Sequence, residues 1–196
     1  MGQVTLFISL LFSLFINESV INRVNNYCEE KKGKTYGEIL FISVKEQKMY
    51  HIVENAIVKE YFVSTAKKGV GNKKNSEMTP YGLHYIKEKH GDRTPKNGRM
   101  IGRVFYGQIA TIYSDTTSSL TDDITSRILW LSGMEKDINK EGNVDSYNRY
   151  IYIHGTSEEG KIGTPSSHGC VRMLNTDVIE LYAKIKIGTK VLILDN

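Results

Sequence analysis

Cysteine is scarce in this chain: its 196 residues include two, Cys28 and Cys170. That number argues against a domain held together by disulfides, and pairing the two would block any chemistry that Cys170 carries. No apolar run reaches the roughly 20 residues that a membrane-spanning helix requires. The run at 4–16, relieved only by Thr5, Ser9 and Ser13, has instead the length of the apolar core of a secretion signal. No Lys or Arg precedes it and no Ala-x-Ala-like site follows it. Residues 1–20 therefore read as a signal peptide or a membrane anchor, with membrane association through 4–16. A strong charge of one sign is also lacking, since 26 Lys and Arg stand against 22 Asp and Glu for a formal net charge of +4. The basic concentrations at 29–34, 66–74 and 87–103 read as solvated faces. With one tryptophan and no nucleic-acid-binding motif, no nucleic acid is expected as a partner.

The length suits one domain with an N-terminal appendage. Residues 21–37 are polar and charged, with few apolar points, and read as a linker or a short helix; ordered structure is expected from about Glu38. Beyond it, 39–44, 48–53 and 57–65 are three apolar, β-branched stretches separated by short polar turns, which predicts an antiparallel meander. Strands are also expected at 83–87, at 124–131 with both faces covered, at 150–153 and at 190–194, and a helix at 175–185 with Asn175 as its N-cap. Met100 to Ile112 reads as an irregular strand and loop facing a cleft. The charged, asparagine-rich stretch 133–149 is long for a connection and lies just before the strand at 150–153, which makes it a candidate groove rim.

The chemistry concentrates in 150–172, YIYIHGTSEEGKIGTPSSHGCVR. A thiol, two imidazoles, a guanidinium and four glycines, Gly155 and Gly169 among them, fall in one segment, and that combination reads as a cysteine acyltransferase. Cys170 is the candidate nucleophile and His154 the base that takes its proton, raising the thiolate fraction by ion pairing. Gly169 leaves room for a substrate carbonyl to approach the backbone. The N–H groups around Gly169 and Cys170 are a candidate oxyanion hole, with Arg172 adding positive charge or docking a carboxylate. His168 either orients the loop or touches substrate. A zinc site built from His154, His168 and Cys170 is the competing reading of the same residues, although Gly169 and Arg172 suit an anionic transition state better.

His154-Gly155 followed by Ser167-His168-Gly169-Cys170-Val171-Arg172 resembles the signature of the L,D-transpeptidase catalytic domain, the YkuD-type enzymes that cross-link peptidoglycan. The resemblance extends over 39–194. It implies that the Gly155 carbonyl orients His154 in place of a carboxylate and that Arg172 supports the site. It also implies that Ser167 and His168 belong to the substrate-facing motif. Ser64-Thr65-Ala66 stands where the family ends a strand in Ser-Thr-Gly. Thr79-Pro80-Tyr81-Gly82 matches an element near the family's groove, which makes Thr79 a candidate substrate contact, and Tyr106 is a second.

By that resemblance the fold is mainly β, a β-sandwich or partial barrel with a short helix after the catalytic loop. The partners are peptidoglycan stem peptides, with a carbapenem adduct in their place. No cofactor and no metal is needed, and the protein is exported to the periplasm or cell envelope. The reaction is transfer from a tetrapeptide stem through a thioester to a second stem. L,D-carboxypeptidase activity, transfer to a lipoprotein or a free D-amino acid, and non-catalytic wall binding remain as alternatives.

Overall fold

Runs such as EILFIS and KVLIL, apolar at nearly every position, belong to strands covered on both faces, and the computed structural model, which describes residues 18–196, places them there. β1 (Glu38–Ser43), β2 (Lys48–Val53) and β3 (Ala56–Ser64) form the antiparallel meander the turns predict. β4 (Gly82–His90), β5 (Gly98–Ile101), β6 (Val104–Ile109), β7 (Ile124–Gly133), β8 (Tyr152–Thr156), β9 (Val171–Met173) and β10 (Lys190–Leu194) complete a ten-stranded sheet.

The strand order is β4-β10-β1-β2-β3-β9-β8-β7-β5-β6, and β4 also pairs with β7. That pairing closes eight strands into a hydrogen-bonded ring and leaves β5 and β6 as a hairpin attached to β7. Closure removes the exposed edges that an open sheet would present. The architecture is thus mainly β and barrel-like. The segment expected as an irregular strand and loop at Met100 to Ile112 is largely this hairpin.

One face of the ring strands packs around Leu40, Ile42, Val63, Leu129, Leu131, Ile153, Val171 and Val191. The helix α2 (Asn175–Lys184) adds Val178, Leu181 and Tyr182 to this core. Asn175 is its first helical residue rather than its cap, a role taken by Leu174. The other face of β1, β2, β4 and β10, through Phe41, Tyr50, Ile52, Leu83 and Leu192, is covered by an N-terminal helix, α1, which spans 18–32 of the described residues.

Val20, Val24 and Cys28 recur every four residues in α1 and are all buried against that face, the spacing of a one-sided helix. Tyr27 Oη donates to Glu135 Oε1 at 3.0 Å, and Lys32 Nζ to the Met134 carbonyl at 2.8 Å, tying α1 to the chain after β7. The segment expected as a linker or a short helix is helical through Lys32, and order begins well before Glu38. Its polar composition misled because a helix covering one face of a sheet needs only one apolar residue per turn. The apolar run at 4–16 lies outside the described residues. Among the described residues no helix is long and apolar enough to cross a membrane.

Candidate active site

β8 and β9 run parallel, and a parallel pair cannot be joined by a tight turn; the connection here is the polar 157–170 loop. The register places His154 beside Arg172, Ile153 beside Val171 and Gly155 beside Met173. Because side chains alternate along a strand, Ile153, Val171 and Met173 enter the core while Tyr152, His154 and Arg172 share the opposite face. Cys170, at the mouth of β9, continues that face and packs at the edge of a cluster made by Met100, Ile128, Trp130 and Tyr152.

Two glycines are required here for different reasons. A Cβ on Gly155 would stand 2.6 Å from Asn175 Oδ1 and 2.7 Å from the Thr125 carbonyl oxygen. Gly169 has φ +131°, a conformation that L side chains rarely adopt, next to the nucleophile candidate.

His154 is buried, and its Nδ1 lies 2.7 Å from the Gly155 carbonyl oxygen. A carbonyl only accepts, so Nδ1 carries the proton and Nε2 is left as the basic nitrogen. Burial, reinforced by the positive charge of Arg172, pushes the imidazole down to about 4. Burial also pushes the Cys170 thiol up to about 11, against the lowering influence of the Tyr152 N–H, Arg172 and Arg149. The thiol donates to the Tyr150 carbonyl at 3.4 Å and accepts from the Tyr152 N–H at 3.4 Å. Tyr150 has φ +57°, uncommon for an aromatic residue. At neutral pH the resting pair is thus a neutral thiol and a neutral imidazole, not the ion pair expected from the residue types alone.

Arg172 is 2% exposed and fully engaged. Nη1 donates to Glu158 Oε2 at 2.9 Å and to Ser166 Oγ at 3.1 Å, and Nη2 pairs with Asp122 Oδ1. This geometry suits a support for the loop and leaves little of the guanidinium for docking a substrate carboxylate. Asp122 also binds His168 Nδ1 at 2.8 Å, and Lys161 bonds Glu158 at 3.1 Å. Burial alone would raise the Asp122 carboxyl, but Arg172 and His168 hold it below the usual carboxylate range. Asn175 ties the start of α2 to the same loop through the Thr156 carbonyl and Glu159. Asp122, Glu158 and Asn175 were not among the expected site residues; the signal that could have found the first two is that a buried arginine requires carboxylate partners.

The side chains of three expected substrate contacts, Ser167, Thr79 and Tyr106, are placed as follows. Ser167 is buried, and its hydroxyl donates to the Cys170 carbonyl while accepting from the Gly169 N–H at 3.2 Å, so it braces the turn from within. Thr79 is also buried and accepts from the Ala66 N–H at 2.9 Å, bracing the loop between β3 and β4. Tyr106 is 69% exposed on β6 and lines none of the cavities described below. In each case a residue type compatible with substrate binding says nothing of the direction its side chain takes. His168, by contrast, is exposed and lines all three cavities.

The smallest cavity, about 90 Å³, is lined by Asp122, Ile124, His154, Ser167, His168, Cys170 and Arg172. Two grooves border His168 on either side of it. One, of about 630 Å³, is walled by Lys74, Asn143, Asp145, Asn148, Arg149 and Tyr150, so the 133–149 stretch does supply a groove rim. The other, of about 600 Å³, is lined by Lys67, Ser118, Ser119, Lys161, Thr164 and Ser166 among others. Although His154, His168 and Cys170 line one cavity, no group of three or more His, Cys, Asp or Glu among the described residues is arranged to hold a metal ion.

Comparison with known proteins gives this arrangement a family. The protein YqjB of Bacillus subtilis, whose name places it among the L,D-transpeptidases, is 48% identical over 48 residues, 24% of this chain and 27% of YqjB. YbiS of Escherichia coli K12, named likewise, is 45% identical over 48 residues, 24% of this chain and 16% of YbiS. The matched stretches thus span about a quarter or less of these relatives.

Among solved structures, the avibactam carbamoyl enzyme of Ldtfm matches with a TM-score of 0.51 at 15% identity, over 83% of this chain and 50% of that one. L,D-transpeptidase 3 from Mycobacterium tuberculosis, in complex with a faropenem-derived adduct, matches with a TM-score of 0.50 at 13% identity, over 81% of this chain and 60% of that one. Those likenesses establish the fold. The family model of the L,D-transpeptidase catalytic domain, YkuD, matches residues 37–193, the whole ring of strands together with α2 and the 157–170 loop. The chain therefore belongs to the YkuD family of L,D-transpeptidase catalytic domains.

Proposed function

We propose that this protein is a cysteine-dependent L,D-transpeptidase that acts on peptidoglycan tetrapeptide stems and forms 3-3 cross-links. The observation that carries the reading is the His154 Nδ1 bond to the Gly155 carbonyl in the strand next to Cys170. It leaves Nε2 unprotonated in the small cavity that both residues line. Held down at about 4, His154 is unprotonated at pH 7 and free to accept at Nε2, and as a weak base it takes the Cys170 proton only as the thiol attacks and gives it up readily afterwards.

In the acylation step Cys170 Sγ leaves Tyr150, gives its proton to His154 Nε2 and attacks the carbonyl between the third stem residue and the terminal D-alanine. The N–H groups of the Gly169–Cys170 turn take up the oxyanion, Gly169 giving up its 3.2 Å bond to Ser167. The intermediate collapses, His154 protonates the departing D-alanine amine, and a thioester remains on Cys170. The amine of a second stem attacks that thioester and loses its proton to Nε2. Expulsion of the thiolate, which recovers the proton, completes the cross-link. Arg172, Asp122 and Glu158 hold the loop in register throughout, and Ser167 and Thr79 brace it.

Two grooves of similar size that meet at His168 favour a reaction with two extended substrates over hydrolysis. Such work on the cell wall implies an exported protein, with 1–20 as its signal or anchor and 38–196 as the catalytic domain. Structures of this fold include an avibactam carbamoyl enzyme and a faropenem-derived adduct, and Cys170 here is expected to accept a carbapenem. Intact-protein mass spectrometry should show one adduct, mapped to Cys170 and missing in Cys170→Ala. An adduct that persists in Cys170→Ala would overturn the nucleophile assignment.

A further inference from the structure

The arginine of the motif is electrostatically spent, because Asp122 and Glu158 both pair with Arg172. A second guanidinium stands in the other groove. Arg149 is half-buried, and its donors all go to neutral oxygens: the Gly71 carbonyl at 3.1 Å, the Met78 carbonyl at 2.6 Å and Ser76 Oγ at 3.4 Å. Among the described residues it forms no ion pair. Acids lie in the same groove, yet Glu77 pairs with Lys68 and Asp145 accepts from the Glu141 and Asn148 N–H groups.

A partly buried cation without a counter-ion is costly, so its retention calls for a negative charge that is present only part of the time. Arg149 precedes Tyr150, whose carbonyl accepts the thiol proton. The Met78 carbonyl it holds lies against the Gly169 backbone, 3.5 Å from where a Cβ would sit. Its field reaches Cys170.

We propose that Arg149 is a positioning residue for the nucleophile, the cation that meets the negative charge developing on Cys170. The inference rests on Cys170 being the nucleophile. It differs from the role of Arg172, because Arg149 brings a net charge whereas Arg172 brings a neutralised one. Preorganised charge of this kind acts without reorganisation when the reaction begins.

Two substitutions in the full chain separate charge from structure. Arg149→Gln keeps N–H donors for the loop but removes the charge, whereas Arg149→Lys keeps the charge and loses most of the hydrogen bonds. The readout is the rate of Cys170 alkylation by iodoacetamide across pH, with the adduct located by peptide mass. Arg149→Gln should slow alkylation about tenfold below the thiol's titration, and Arg149→Lys should stay within about twofold of the parent.

Unchanged alkylation in Arg149→Gln, or equal slowing in both variants, would overturn the charge role. Should Arg149→Gln not fold, Arg149→Met, similar in length and uncharged, replaces it: a tenfold loss that Arg149→Lys does not share upholds the proposal and an unchanged rate defeats it. Because alkylation needs no stem peptide, a failure of cross-linking would count against the transpeptidase reading without touching this one.

Discussion

A thiol raised to about 11 beside an imidazole lowered to about 4 keeps its proton until substrate arrives. The sign of the pH dependence follows. A raised thiol gains thiolate about tenfold per pH unit until its titration is reached, so iodoacetamide alkylation of Cys170 should be roughly a hundredfold faster at pH 9 than at pH 7. A pre-formed ion pair would give a rate nearly level between pH 5 and 8, and that profile would refute the neutral resting pair. At this scale the proposed nucleophile Cys170, base His154 and orienting carbonyl of Gly155 could be named from the sequence because they lie in one short segment, and His154 Nδ1 does meet the Gly155 carbonyl. The internal hydrogen bonds of Ser167 and Thr79 were not legible, since a hydroxyl serves an internal brace as well as a ligand. Nor was Tyr150, whose left-handed backbone turns its carbonyl to the thiol from a stretch that otherwise reads as strand.

Among the elements, α1 has the largest consequence that composition concealed. Its buried stripe of Val20, Val24 and Cys28 covers Phe41, Tyr50, Ile52 and Leu192, so it contributes to the stability of the whole sheet. Val24→Asp would bury a carboxylate in that apolar interface and should destabilise the fold by about 2–4 kcal/mol. A chemical-denaturation midpoint unchanged from the parent would show that α1 is dispensable. The strands were easier to read, because β-branched and aromatic runs of EILFIS type leave little alternative. The expected covering of 124–131 on both sides is found, with Ile128 and Trp130 in one cluster and Leu129 and Leu131 in another. β9 escaped notice because it has three residues, Val171–Met173, the first two of them inside the motif. Its parallel pairing with β8 is nonetheless what sets Arg172 beside His154.

For the molecule as a whole, closure of the strand ring depends on β4 meeting β7, a contact across the sequence that no local pattern encodes. The family resemblance indicated a sandwich or partial barrel, and the pairing makes it a ring with a hairpin attached. The ring fixes β7, β8 and β9 side by side, and the surrounding loops open two grooves that share His168, which also lines the small cavity of Cys170. Under the proposed function, each groove would take one stem. The most direct test is a time course with disaccharide-tetrapeptide, followed by liquid chromatography and mass spectrometry, comparing the parent protein with Cys170→Ala. The account predicts cross-linked dimers with released D-alanine in the parent and neither in the variant, whereas D-alanine with tripeptide and no dimer, or dimers formed equally by Cys170→Ala, would contradict it.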